Sequence, residues 1–284
     1  MKFHILKILR FLKLLIFLVF ENLFLLIFHP RKKNFAGEIV LITGSANGIG
    51  RQIALNFAPL GATLVLWDID EEGNKETSRL AQQNGATRVF AYHCDCSNRE
   101  EVYEQADKVR SEVGDVTILI NNAGILFGKK FCDIPDEDFE KTLRVNFLSQ
   151  VWVMYFFLSW VTERYRQVFQ CENHQGDDTH LESSRHCSMF FFLHFSDYAA
   201  SKHAIIGMME ALHSELYHAG KHGIKTTVIC PYFVNTDLIK GLQTPLFLPV
   251  YDAEYVASKI MDAIQKEKFY LIMPPILHLL AFKM

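Results

Sequence analysis

Residues 39–57 constrain this chain most. Ile39-Val40-Leu41-Ile42 is a short apolar run with β-branched character, and it leads directly into Thr43-Gly44-Ser45-Ala46-Asn47-Gly48-Ile49-Gly50. Arg51 to Phe57 then reads as a helix, stopped by Pro59-Leu60-Gly61. A strand, a glycine turn and a helix in that order bring backbone N–H groups and a helix N-terminus to one point, an arrangement suited to a pyrophosphate. Gly44 makes the tight turn, Gly48 lets the backbone approach a phosphate, and Gly50 lets the helix sit close to the sheet.

The same alternation continues downstream. Ala62 to Trp67 reads as a strand ending in Asp68, 24 residues past Gly44. An acid there is placed to accept hydrogen bonds from an adenosine ribose and would repel a 2′-phosphate. NAD(H) is therefore expected over NADP(H), with Arg51 the nearby cation that could offset the repulsion. A helix is expected over 73–84, a strand over 89–93 closed by Cys94-Asp95-Cys96, a helix over 101–113 and an apolar strand over 116–120 before Asn121-Asn122-Ala123-Gly124. Asp95 is suited to accept from an adenine amino group. Repeated β-α units predict an α/β fold, a doubly wound parallel sheet of Rossmann type. At 284 residues the chain fits one such domain, expected over 34–284.

A net charge of -3 and no long block of like charge leave no electrostatic basis for nucleic-acid binding. The six cysteines, at 94, 96, 132, 171, 187 and 230, have neither zinc-ligand spacing nor the density of a disulfide scaffold, so reduced thiols are expected. The histidines occur singly, and no metal site is expected. Met1 to Phe28 is different: Lys2, Lys7, Arg10 and Lys13 precede a run that is apolar from Leu14 to Phe28 except for Glu21 and Asn22, and Arg31-Lys32-Lys33 follows. Fifteen helical residues reach only about 22 Å, short of a bilayer core. A retained, shallow or re-entrant membrane anchor with its basic flank (1–33) fits these charges best, with a cleaved signal or a core helix as the other readings.

T-G-x-x-x-G-I-G at 43–50, Asn121-Asn122-Ala123-Gly124, Val145-Asn146 and Tyr198-Ala199-Ala200-Ser201-Lys202 occur in that order. Together they resemble the short-chain dehydrogenase/reductase family over residues 35 to about 275, and within it the membrane-anchored group of epidermal retinol dehydrogenases and 17-beta-hydroxysteroid dehydrogenases. The resemblance implies hydride transfer between NAD(H) and a lipophilic alcohol or carbonyl, such as a retinoid or a hydroxysteroid. It implies Tyr198 as base, Lys202 as the cation that lowers the phenol pKa from its usual value near 10, and Asn146 as holder of a relay water. Lys202 lies four residues after Tyr198 and so shares its helix face. The cofactor set implied is Gly44, Ser45, Asn47, Gly48, Ile49, Gly50, Asp68, Asp95, Asn122, Lys202 and Thr236. A homodimer, and a place on the endoplasmic reticulum membrane or a lipid droplet with the catalytic domain facing the cytoplasm, are implied in the same way.

The chain departs from the family between these motifs. A serine is expected about thirteen residues before the tyrosine, where this sequence has Arg185. Ser184 and Ser183 are the nearest serines, Ser188 lies on the other side, and Ser184 is the candidate for orienting the substrate oxygen. Residues 167–187 are polar and aperiodic and read as loop, so the fifth strand of the sheet has no evident place. Ser188 to Phe195 is the apolar run available as a substitute. Three outcomes follow: a working dehydrogenase, a catalytically impaired membrane or lipid-droplet protein that keeps the fold, or a sheet that cannot form. Apolar residues between Thr236 and Tyr251 are expected to form a lid over the substrate.

Overall fold

A computed structural model of the chain describes residues 33–168, 179–184, 195–240 and 250–275. The expected anchor at 1–28, most of the expected lid (241–249) and the apolar tail beyond 275 lie outside the described residues. Among the described residues no helix is long and apolar enough to cross a membrane.

The sequence pattern builds a βα succession. Strands β1 (Ile39–Thr43), β2 (Thr63–Asp68), β3 (Arg88–His93) and β4 (Ile118–Asn121) alternate with helices α1 (Gly48–Phe57), α2 (Glu71–Gln83) and α3 (Arg99–Glu112). Helix α4 (Asp136–Leu143) runs through a π-helical turn, Arg144–Leu148, into α5 (Ser149–Val168). Then come β5 (Thr179–Ser184), α6 (Ser196–His218), β6 (Ile224–Pro231), the short pair β7 (Val234–Asn235) and β8 (Tyr251–Asp252), α7 (Ala253–Gln265) and β9 (Tyr270–Met273). The main sheet is parallel, in the order β3-β2-β1-β4-β5-β6-β9. This is the doubly wound arrangement expected, and the switch in strand order beside β1 opens a crevice at the carboxyl ends of β1 and β4.

Alternate residues of each strand serve opposite faces. Leu41, Val65, Leu119 and Val228 pack with Val109 of α3, Val153 of α5 and Ile205 of α6. Ile42, Leu66, Ile120 and Ile229 pack with Ile53 of α1 and Ile260 of α7. Ile42 is fully buried and lies in register between Leu66 and Ile120. Ile42→Ala is therefore expected to cost about 2–5 kcal/mol, read as a lowered midpoint of chemical denaturation with little change in its slope.

The fifth strand corrects the sequence reading. Thr179–Ser184 is a strand, not a loop, and pairs in parallel with β4 on one side and β6 on the other. Thr179–Ser184 thus takes the place between β4 and β6 for which Ser188 to Phe195 was the alternative; Phe195 precedes α6, and 188–194 lie outside the described residues. The physical reason is that a central position offers two ladders of backbone donors and acceptors, which any side chain can use. Polar composition hides such a strand from periodicity without preventing it, and the seven-stranded sheet closes around it.

Candidate active site

The glycine turn is held by contacts to the end of β4. Asn122 Nδ2 donates to the carbonyls of Thr43 (3.1 Å) and Gly44 (2.8 Å), while Thr43 Oγ1 accepts from the N–H groups of Asn122 (3.0 Å) and Ala123 (3.1 Å). Gly44 has φ +67°, and a Cβ there would stand 2.8 Å from Ala123 Cα. At Gly50 it would stand 2.2 Å from the Gly44 carbonyl oxygen, so the loop and the start of α1 touch with no room for a side chain. Asn47 occupies the N-cap of α1 without making a side-chain cap, and the first turn carries no acid. An uncapped helix N-terminus free of like charge, behind a cradle that a Cβ would fill, fits a dinucleotide pyrophosphate.

A cleft of about 470 Å³ runs from this turn along the crevice. Gly44, Asn47, Gly48, Ile49, Asp68, Asp95, Asn122, Gly124, Tyr198, Lys202 and Thr236 are among the residues that line it. Asp68 ends β2 and accepts from Ala46 N–H through Oδ2 (2.8 Å) and from Asp70 N–H through Oδ1 (2.9 Å). Asp95 Oδ1 accepts from the N–H and hydroxyl of Ser97 (2.9 and 2.7 Å), which fixes the carboxylate at the cleft wall. Cys94 and Cys96 are free thiols beside it, buried and lining the same cleft. A hydrogen bond with Cys96, then burial, push the Cys94 thiol up.

Helix α6 supplies two of the lining residues. Tyr198 and Lys202, four residues apart on it, are 5 and 4% exposed, with Lys202 Nζ 4.8 Å from the Tyr198 ring centre. Both line the cleft that holds the glycine turn. Gly124 lies close to both Asn146 and Lys202, since a Cβ there would stand 3.2 Å from Asn146 Oδ1 and 3.3 Å from Lys202 Nζ.

Two residues of the expected set, Asn146 and Ser45, are fully buried. Asn146 is fully buried in the π-helical turn and does not line the cleft. Its Oδ1 accepts from Ile125 N–H (2.8 Å), and its Nδ2 donates to Ile125 C=O (3.0 Å) and Ser201 Oγ (3.1 Å). Its amide thus ties the segment after β4 to α6, because the π turn brings it inward. Ser45 is also fully buried: its hydroxyl lies 2.7 Å from Asn74 Oδ1 and 3.2 Å from Trp67 C=O, beneath the loop rather than toward the cleft. Gly50, too, acts through packing and does not line the cleft.

Ser184 is the last residue of β5, in register with Ile229, whereas Ser183 is in register with Asn121 and Val228. Both therefore stand at the carboxyl end of the sheet, where the crevice opens. Asn74 and Thr77 were not anticipated. They make up, with Ala81, the buried face of an otherwise polar α2, and their signal in the sequence is only the scarcity of apolar residues on a helix that must still pack.

The profile of the short chain dehydrogenase family matches residues 38–245. Human epidermal retinol dehydrogenase 2 is 45% identical over 278 residues, 97% of this chain and 86% of that protein. Human estradiol 17-beta-dehydrogenase 11 is 40% identical over 274 residues, 96% of this chain and 87% of that one. Among solved structures, a short chain dehydrogenase/reductase from Burkholderia phymatum in complex with NAD superposes with a TM-score of 0.74 at 25% identity, covering 88% of this chain and 93% of that one.

Proposed function

Because the chain belongs to the short-chain dehydrogenase/reductase family, we propose that it transfers hydride between NAD(H) and a lipophilic secondary or allylic alcohol, of the retinol or hydroxysteroid class. The observation that carries this reading is the placing of Tyr198 and Lys202 in one cleft with the glycine turn and Asp68. Bound NAD supplies the hydride acceptor in the oxidative direction, and NADH the donor in the reverse.

The chain's own residues do the rest. Gly44, Gly48 and the N-terminus of α1 hold the pyrophosphate, Asp68 takes the ribose hydroxyls, and Asp95 takes the adenine edge. Tyr198 removes the hydroxyl proton. The Lys202 ammonium, 4.8 Å from the ring centre, stabilises the phenolate in a site where burial strengthens the interaction. Asn146 acts by holding Ile125 and α6 in register. Ser184, at the mouth of the crevice, orients the substrate oxygen. The retinol and estradiol named for the relatives, with the apolar run Leu14 to Phe28, support a lipophilic substrate reached from a membrane. Anchoring at the endoplasmic reticulum or a lipid droplet with the domain toward the cytoplasm, and a homodimer, belong to the same proposal.

The test is NADH formation at 340 nm by detergent-solubilised protein supplied with NAD and a retinol or hydroxysteroid. Turnover supports the dehydrogenase. A second reading, a cofactor-binding protein without turnover, is favoured by one observation, Arg185 where the family carries its serine. It would be adopted if folded protein bound NADH yet oxidised none of a panel of lipophilic alcohols.

A further inference from the structure

The buried face of α2 is polar, and it grips the glycine turn from below. Asn74, 1% exposed, donates from Nδ2 to Leu66 C=O (3.0 Å) and Tyr92 C=O (3.2 Å), while its Oδ1 lies 2.7 Å from the Ser45 hydroxyl. Thr77 is fully buried and has its hydroxyl 2.9 Å from Ser45 C=O. The same Thr77 oxygen accepts from Arg51 Nε at 2.9 Å. Arg51 Nη2 donates to the carbonyls of Ala46 and, at 3.3 Å, Gly73.

Ala46 is thus gripped from two sides. Its N–H is bonded to the Asp68 carboxylate (2.8 Å), and its C=O to the Arg51 guanidinium. Asp68 lines the cleft and Arg51 does not. The cations that do line it, Lys141 and Lys202, come from α4 and α6, not from the loop, α1 or α2. A 2′-phosphate at the ribose end would meet a carboxylate there, with the Arg51 guanidinium of α1 committed to three oxygen acceptors.

We propose that Thr77 is a positioning residue for cofactor choice: by holding Arg51 under the loop it keeps a guanidinium from a 2′-phosphate, so that Asp68 alone meets the ribose. This inference rests on the dinucleotide site proposed above. Thr77→Val keeps the shape but removes the acceptor of Arg51 Nε, and the planar guanidinium then gains most by turning to an anion.

The experiment is titration of NADH and NADPH binding by fluorescence in wild type, Thr77→Val, Arg51→Ala and the double variant. Thr77→Val is expected to narrow the ratio of NADPH to NADH dissociation constants by about tenfold or more, the scale of one charge-assisted hydrogen bond. Thr77→Ser should restore the wild-type ratio, and Thr77→Val made on Arg51→Ala should leave the ratio unmoved. If valine disturbs folding, Thr77→Ala removes the same hydroxyl without a replacement methyl. Equal weakening toward both cofactors, or a narrowing that persists without Arg51, would overturn the proposal. Wild-type protein that is folded but binds neither cofactor would instead refute the dinucleotide site itself.

Discussion

Tyr198→Phe is expected to lower kcat by about 10²–10⁴-fold, the contribution of a well-placed general base, while the dissociation constant for NADH stays within about twofold. The substitution removes one oxygen and leaves a ring of the same shape on α6, so the packing around this buried residue, 5% exposed, is kept. Among the described residues that line the cleft, Tyr198 has the Lys202 ammonium over its ring, whereas Asp68 and Asp95 are held by Ala46, Asp70 and Ser97, and Asp237 is paired with Lys240. Measured beside wild type with the same alcohol, a residual rate above about a tenth would assign the proton transfer to another group. A lost rate with intact NADH binding would separate the chemical step from cofactor affinity, because the two depend on different residues of one cleft.

Gly50→Ala is the second large effect. The added Cβ would meet the Gly44 carbonyl oxygen at 2.2 Å and Asn122 Nδ2 at 2.6 Å. Neither neighbour can yield cheaply, since one is backbone and the other is already bonded to two loop carbonyls. The loop must shift, at an overpacking cost of about 1–3 kcal/mol. Because the displaced atoms are those that cradle the pyrophosphate, NADH affinity should fall by about 10–100-fold, with a lowered thermal midpoint. Gly207→Ala is the matched control. Gly207 lies within α6 with nothing near a Cβ, so the exchange should stabilise the protein by about 0.5–1 kcal/mol and leave NADH affinity unchanged. Equal behaviour of the two variants would remove the close loop–helix contact as the reason for a glycine at position 50.

Much of this protein is legible in its sequence. The order of strand, glycine turn and helix at 39–57, the acid closing the next strand, and the β-α alternation up to Asn121 are local patterns. Local patterns survive because backbone geometry and periodicity act over a few residues. The helical spacing of Tyr198 and Lys202 belongs to the same class, since four residues bring two side chains to one helix face whatever surrounds them. Boundaries moved by one to a few residues, as at α1, which starts at Gly48 rather than Arg51.

What the tertiary structure alone decided is non-local. Residues 179–184 are strand because β4 and β6 present hydrogen-bonding edges on both sides, and no property of T-H-L-E-S-S by itself announces a central strand. Asn146 turned inward because a π-helical turn and the Ile125 backbone, 21 residues away, capture its amide. Ser45, inside the glycine motif, went below the loop because Asn74, 29 residues later, waits there to bond it. Motif spacing identifies which residues meet the cofactor loop, but which way each polar side chain faces depends on the donors and acceptors that distant segments bring to it, and those exist only once the sheet has assembled.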